Sequence, residues 1–338
     1  MIIMLIICWL PCFRIQGQQA RLMFYNAENL FDPFNDSLVK DDEYTPAADK
    51  HWTYGRFLAK AVSIYRVIAA VGEWEPPVVA GFCEIENRFA LESLLIETPL
   101  QRVGYRVIHQ DSPDPRGIDV AMIYRPDAFQ PDTFKFIPVS LPGNEGRTRD
   151  ILYVRGRIFN DRVLHLFFNH WPSRAGGVAS AEKRIFAAGL LKNNIDSILA
   201  TAKEANIIAM GDFNDEPWDE SLRLVAGRVS GDSLPRDGML FNLTEAGRES
   251  SNSGTISHDG FWQLFDQVLV SASLLEGTAG LVVSGGTAGI LRAEFQLSQG
   301  EKWNSDRPYR TYLGPFYQGG YSDHLPVYVD IFKSAKSP

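Results

Sequence analysis

The sequence predicts an α/β (α+β) chain in which two mixed β-sheets pack together with helices outside, as a single domain. Three observations predict it. Short apolar runs bounded by Pro, Gly and Asp dominate the chain, and stretches with apolar residues at helical spacing are interspersed among them. No repeat, low-complexity linker or compositional boundary divides the 338 residues. Content of 45% hydrophobic and 12% aromatic residues suits a globular chain that buries a large core.

The elements follow in order. Arg21 to Tyr25 reads as a strand, and the polar, Pro/Asp-rich residues 33–50 as an exposed loop. Trp52 to Val71 places Phe57, Val62, Ile64, Tyr65 and Ile68 at helical spacing. Pro76-Pro77 opens the apolar run Val78 to Cys83, a strand that ends at Glu84, and Phe89 to Ile96 is a short helix. Tyr105–His109, Ile118–Tyr124, Thr133–Val139, Ile151–Phe159 and Val163–Asn169 read as strands separated by turns. Ala179–Ala202 is a long helix, and Asn206–Met210 is a buried strand followed by a helix start at Glu216-Pro217-Trp218. Gln263–Ser271 and Pro326–Phe332 complete the strands, while residues 272–320 are rich in Gly and aromatics without a clear period.

The first ten residues are strongly apolar, and ten are too few to span a bilayer. With Pro11 ending the run and small residues beyond it, residues 1–20 read as a signal peptide, cleaved near Gly17 or Ala20, although no Lys or Arg precedes the apolar run. The Pro before Cys12 argues against a lipoprotein anchor. Cleavage removes Cys8 and Cys12 and leaves Cys83, a buried small hydrophobe that has no disulfide partner. The expectation is an exported chain, periplasmic or extracellular, with its domain over 21–333 and a tail over 334–338. A formal charge of −8 supplies no global field for nucleic acid. Phosphate chemistry here would need a metal cation or a local arginine cluster.

Polar clusters sit at the strand ends. They are Asn26 with Asn29, Glu84 with Glu86, Asn169-His170, Asp212 with Asn214 in Gly211-Asp212-Phe213-Asn214, and Asp323-His324. Asp266 lies inside the apolar run Leu264–Val270, where a carboxylate is costly to bury without a partner such as a histidine or a metal. Gly, Asp and Asn are also ordinary turn residues, and Asn29 in particular could cap a turn.

Taken in order, Tyr25-Asn26, Glu84, Asn169-His170, Gly211-Asp212-Phe213-Asn214, Phe265-Asp266-Gln267-Val268 and Ser322-Asp323-His324 resemble the endonuclease/exonuclease/phosphatase superfamily. The wording is most similar to secreted bacterial endonuclease-like members, over roughly residues 21–333. The resemblance implies a DNase I-like four-layered sandwich of two packed mixed sheets flanked by helices.

It also implies roles. Glu84 matches the metal-binding glutamate, with Asn26 and Asp323 as supporting ligands, and oxygen donors suit Mg²⁺ (or Mn²⁺). Glu86 would share the face of Glu84 if the strand continued. Asp212 matches the group that orients or deprotonates the attacking water, and Asn214 its amide neighbour near the phosphate. His324 matches the histidine that stabilises phosphoryl charge, with Asp266 holding its ring, and His170 the histidine near the leaving group. Arg116, Arg147, Arg149 and Arg174 could form a local cationic patch, with Arg116 and Arg174 as substrate-phosphate contacts. Trp303 to Tyr317 could stack bases, or pack on its own aromatics.

The function expected is a metal-dependent phosphodiester hydrolase, an exported endonuclease acting as a monomer on nucleic acid or another phosphodiester. The alternative is a phosphodiesterase or phosphatase for lipid headgroups or sugar phosphates. A binding protein that lost its chemistry would show erosion among Glu84, His170, Asp212, Asn214, Asp266 and His324, and none is eroded.

Overall fold

The computed structural model describes residues 18–141, 143, 146–228, 238–247, 253–300 and 305–334. Most of the leader reading, residues 1–17, lies outside them, as do Trp303 and residues 335–338 of the tail. In chain order β1 (Gln19–Leu30), α1 (Tyr54–Gly72), β2 (Val79–Ile85), α2 (Arg88–Ile96), β3 (Arg106–Ile108) and β4 (Asp119–Tyr124) come first. Next are β5 (Phe129–Ile137), β6 (Ile151–Ile158), β7 (Arg162–His170), α3 (Val178–Thr201) and β8 (Ile207–Asp212). α4 (Glu220–Val225), β9 (Ala226–Arg228), β10 (Leu240–Asn242) and α5 (Leu243–Ala246) lead to the hairpin β11 (Ile256–His258) and β12 (Phe261–Gln263). β13 (Asp266–Val270), α6 (Ala272–Glu276), β14 (Leu281–Val283) and β15 (Gly289–Ile290) precede two short ribbons. These pair β16 (Leu297–Gly300) with β17 (Ser305–Pro308) and β18 (Tyr312–Leu313) with β19 (Phe316–Tyr317), and β20 (Val327–Lys333) closes the series.

Two seven-stranded sheets result. The first runs β14-β20-β1-β2-β4-β3, with β15 also paired to β20, and the second runs β5-β6-β7-β8-β13-β10-β9. Both are mixed: β1 and β2 are parallel, as are β7 and β8, while β20 and β13 run antiparallel to their neighbours β1 and β8.

Period-two alternation sorts the side chains into layers. Leu22, Phe24, Val79, Cys83 and Met122 of the first sheet meet Leu166, Phe168, Ile208, Met210 and Val268 of the second in one buried cluster. The alternate residues Met23, Tyr25, Ala80 and Phe82 pack under Phe57, Ile64 and Ile68 of α1 and Leu91 and Leu94 of α2. On the far side Phe167, Ile207, Ala209 and Leu269 pack under Ala187, Leu191 and Ile195 of α3 and Leu222 of α4. The chain is therefore a four-layered sandwich, helix, sheet, sheet, helix. Each large apolar side chain fully buried in it stabilises the fold by roughly 1.5–3 kcal/mol before entropy is counted. Gly81 sets the inter-sheet distance locally: a Cβ there would lie 2.1 Å from the ring of Phe168.

Several element limits differ from the sequence reading, each for a local reason. β1 begins at Gln19, ahead of Arg21, because Gln19 and Ala20 pair with Phe332 and Ile331 of β20. α1 starts at Tyr54, where the Thr53 side chain accepts the Arg56 amide, and Trp52 stays outside it, donating from Nε1 to the Phe31 carbonyl at 2.9 Å. The fifth strand begins at Phe129, and its Pro131 is tolerated because β5 is a sheet edge. α4 begins after Asp219, whose carboxylate accepts the Glu216 amide at 2.8 Å, so Glu216-Pro217-Trp218 is a turn ahead of the helix. Residues 272–320 lack a period because their strands and ribbons are two to four residues long. Among the described residues no helix is long and apolar enough to cross a membrane.

Candidate active site

The same alternation that fills the core delivers polar side chains to one of its ends. Two residues beyond the inward-facing Phe168, Met210 and Phe24 come His170, Asp212 and Asn26, each at or near the carboxyl end of a parallel strand. Asp266 starts β13, which runs the other way, so it stands at that same end, two residues before the inward-facing Val268. Register then aligns three of them: Asp212 pairs with His170 on one side and with Asp266 on the other. Gly211 is required there, since a Cβ would lie 2.4 Å from the Asn169 carbonyl oxygen.

Asp212 is the hub. Its Oδ1 accepts the Asn214 backbone N–H at 2.9 Å, and its Oδ2 accepts from Asn26 Nδ2 at 3.1 Å. That Oδ2 is also 3.8 Å from Nε2 of His170 and 3.8 Å from Nε2 of His324. His324 is clamped from behind, its Nδ1 lying 2.6 Å from Asp266 Oδ2. Ser322 ties this segment to the first sheet: its Oγ donates to the Asn26 carbonyl at 2.8 Å and accepts the His324 amide at 3.0 Å. Asn214, with φ +51°, turns its amide back to donate to the Trp171 carbonyl at 3.0 Å.

Glu84 sits at φ +59° in an irregularity of the β2–β4 pairing between Phe82 and Ile85. This bulge ends the simple alternation and separates the two glutamates. Glu84 keeps Oε1 3.8 Å from His170 Nε2, while Oε2 accepts the Asn29 backbone N–H at 3.0 Å. Glu86 turns away and accepts the Asp32 amide at 2.6 Å, its carboxyl pushed up to about 9 by burial. Asn29 contributes its backbone at φ +57°. Asp323 is held at 2.9 Å by Arg310.

Electrostatics divides the two imidazoles. Burial alone would lower His324, but Asp266 and Asp212 outweigh it and hold the ring well above the ordinary histidine value. His170 is driven well below that value by burial, with Arg149 and Arg116 adding to the effect. Burial raises the carboxyl of Asp212 to about 7, with Asp266 adding to it and His324 opposing. Glu84 is likewise raised by burial and by Asp323. One protonated and one neutral imidazole, flanking a carboxyl poised near neutrality, can move protons and stabilise an anion together.

Residues 21–333 match the profile described as Endonuclease/Exonuclease/phosphatase family. The chain belongs to that family. No curated sequence matches it. Among solved structures it is similar to TDP2 from C. elegans, at 14% identity and TM-score 0.54, over 93% of this chain and 75% of that one. It is similar to the human nocturnin catalytic domain, at 16% identity and TM-score 0.54, over 94% and 95%. A Bacteroides vulgatus endonuclease/exonuclease/phosphatase aligns at 13% identity and TM-score 0.55, over 94% and 100%. At such identities these structures show the shared fold, the DNase I-like two-sheet sandwich. Membership in the endonuclease/exonuclease/phosphatase family supplies the coarse activity, hydrolysis of a phosphoester bond.

The family site accommodates a divalent cation on its own chemistry. Glu84, Asp212, Asp266 and Asp323 are gathered at one end of the core, and their mutual repulsion contributes to the raised carboxyls of Glu84 and Asp212. Asp266 Oδ1 is buried without a hydrogen-bond partner among the described residues. Carboxylate oxygens suit a hard cation, and His324, held cationic, offers it no lone pair. A separate group, His109, Asp111 and Asp119, is self-satisfied, with His109 Nε2 3.0 Å from Asp119.

The arginines diverge from one another. Arg116, its side chain 49% exposed, is held only loosely by Asp114 at 3.4 Å and exerts its charge on Glu84 and His170. Arg174 is instead engaged by Asp215 at 3.1 Å, by Asp219 and by the Asn214 carbonyl, and stacks over Phe265. Arg174, expected as a phosphate contact, thus braces the loop of Asn214, with its side chain 38% exposed. Arg149 is buried, donating to Asp114 at 2.9 Å and to the same Trp171 carbonyl that Asn214 uses.

Sequence reasoning missed Lys60 and Glu28. Lys60, fully buried on α1, donates to the Tyr321 carbonyl at 2.7 Å and Thr311 Oγ1 at 2.6 Å, with Glu28 3.6 Å away. A lysine on the apolar face of the α1 helix was the available signal. Among the described aromatics of the 303–317 segment, Tyr312 meets Trp52, Tyr317 meets Tyr312 and Arg56 lies over Tyr317, while Phe316 is exposed.

Proposed function

We propose that this chain is an exported, metal-dependent phosphodiesterase that cleaves nucleic acid internally. The observation that carries the reading is the clamped His324, whose Nδ1 meets Asp266 at 2.6 Å while Nε2 faces Asp212 at 3.8 Å. Glu84 and Asp323, with Asn26 in support, would hold Mg²⁺ (or Mn²⁺), which when bound neutralises phosphoryl charge and polarises the reacting oxygens. Asp212 orients the attacking water and takes its proton, its carboxyl at about 7 being matched to that task near neutral pH. His324, kept cationic by Asp266, stabilises the charge that develops on the phosphoryl oxygens, and the Asn214 amide donates beside it. Neutral His170 stands near the leaving group.

Arg116 is an exposed cation that acts on the site, and a chain of net charge −8 attracts a polyanion locally or not at all. Phe261 and Phe316, which are 73% and 70% exposed, offer stacking faces for bases. Those exposed apolar faces also favour a second reading, a phosphodiesterase for lipid headgroups. The apolar first ten residues support export, and the chain is read as a monomer with no stable protein partner.

Nicking of supercoiled plasmid in Mg²⁺, with EDTA and His324→Ala controls, tests the proposal. Metal-dependent nicking that is lost in the variant is the expected result. An intact, metal-binding chain that leaves plasmid untouched but hydrolyses phospholipid diesters would replace the first reading with the second.

A further inference from the structure

Cys83 faces inward from β2, paired in register with Asn26, so its thiol lies beneath the polar end of the core. It is free and fully buried, and a ligand atom of Cys83, one of His170 and one of Asp212 all lie within 4.8 Å of one another. Nδ1 of the buried His170 has no hydrogen-bond partner among the described residues, so no contact there fixes a tautomer that would deny Nε2 to a metal. None of the roles assigned above uses the thiol.

We propose that Cys83, His170 and Asp212 form a soft-metal site for Zn²⁺ or Cd²⁺, which overlaps the catalytic centre and shuts it down. Donor chemistry separates this set from the oxygen set of Glu84 and Asp323: thiolate and imidazole select Zn²⁺ and Cd²⁺, whereas carboxylates suit Mg²⁺. One donor pair is already close to what zinc needs. Tetrahedral zinc holds thiolate at about 2.3 Å and imidazole at about 2.0–2.1 Å, which puts its ligand atoms about 3.5 Å apart. His170 Nε2 and Asp212 Oδ2 are already 3.8 Å apart. Coordination replaces the Cys83 S–H bond with a metal–sulfur bond, and the proton leaves to solvent. A metal held there takes Asp212 and His170 out of the reaction. The inhibition rests on the phosphodiesterase reading; the binding does not.

The test uses the full chain carrying Cys8→Ser and Cys12→Ser, so that Cys83 is the only thiol, titrated with Cd²⁺ and Zn²⁺. One equivalent of Cd²⁺ should produce the near-ultraviolet thiolate-to-cadmium absorption band, and a further Cys83→Ser change should abolish it. Read against each variant's own Mg²⁺-supported rate, that change should raise the half-inhibitory Zn²⁺ concentration by about tenfold or more. No thiolate band from the folded chain, or equal zinc inhibition with and without Cys83, would overturn the proposal. A band without any phosphodiesterase activity would sustain the metal site and refute the reading of the reaction alone.

Discussion

Nδ1 of His324 stands 2.6 Å from Oδ2 of Asp266, a carboxylate with no solvent exposure at the start of β13. This contact fixes both the direction of the imidazole and its charge, because Asp266 is the foremost cause that raises it. In Asp266→Asn the ring keeps its cavity and loses its counter-charge. Turnover should fall by about 10²-fold or more. The limb of the kcat–pH profile that requires protonated His324 should move to lower pH, which a merely structural defect would not do.

Asp212 acts on water through its charge, so Asp212→Asn should remove most turnover, by about 10²–10⁴-fold. Thermal unfolding and Mg²⁺ affinity should change far less than turnover, since the amide oxygen keeps the bond from the Asn214 backbone N–H and only the bond from Asn26 is lost. A near wild-type rate in this variant would show that the water is activated elsewhere.

Lys60 and Glu28 are both buried, and Lys60 anchors the Tyr321 carbonyl two residues before Asp323. Lys60→Met leaves Glu28 without its ammonium and should destabilise the chain by about 3–5 kcal/mol in denaturant unfolding. Adding Glu28→Gln should restore part of that loss, because the uncompensated charge is then gone. Additive losses in the double variant would deny the coupling.

His165, on β7 far from the site end, is lowered to about 4 by burial, with the charge of Arg155 as a lesser cause. An unfolded histidine titrates near ~6.5. Between these values the unfolded chain binds more protons, so stability is fully present above the unfolded value and falls as pH drops toward the folded one. Tm measured from pH 7 to pH 4 should decline, and His165→Gln should flatten that decline in proportion to this residue's share.

Much of the site was legible because its logic is local. Period-two alternation carries the inward face from Phe168 to His170 and from Met210 to Asp212, and a reader of the sequence can count it. The buried Asp266 demanded a partner, and His324 is that partner. Alternation failed where a bulge intervened: the left-handed Glu84 breaks the β2 register and sends Glu86 to the Asp32 amide. The partners of Arg174 were hidden for another reason, since the carboxylates of Asp215 and Asp219 that engage it lie 41 and 45 residues further on, brought near by the β7–β8 crossover.

By itself the sequence determined most of the longer strands, the two long helices, the family and the order in which polar groups reach the strand ends. Those follow from side-chain periodicity and turn chemistry within a few residues. Tertiary structure alone decided that Cys83 lies by His170 and Asp212, that Lys60 reaches Tyr321 across 261 positions, and that Arg116 acts on Glu84 while Arg174 meets Asp215. These are contacts between different elements, set by how two sheets and a helix pack, and hydrophobic burial sets that packing without regard to sequence distance.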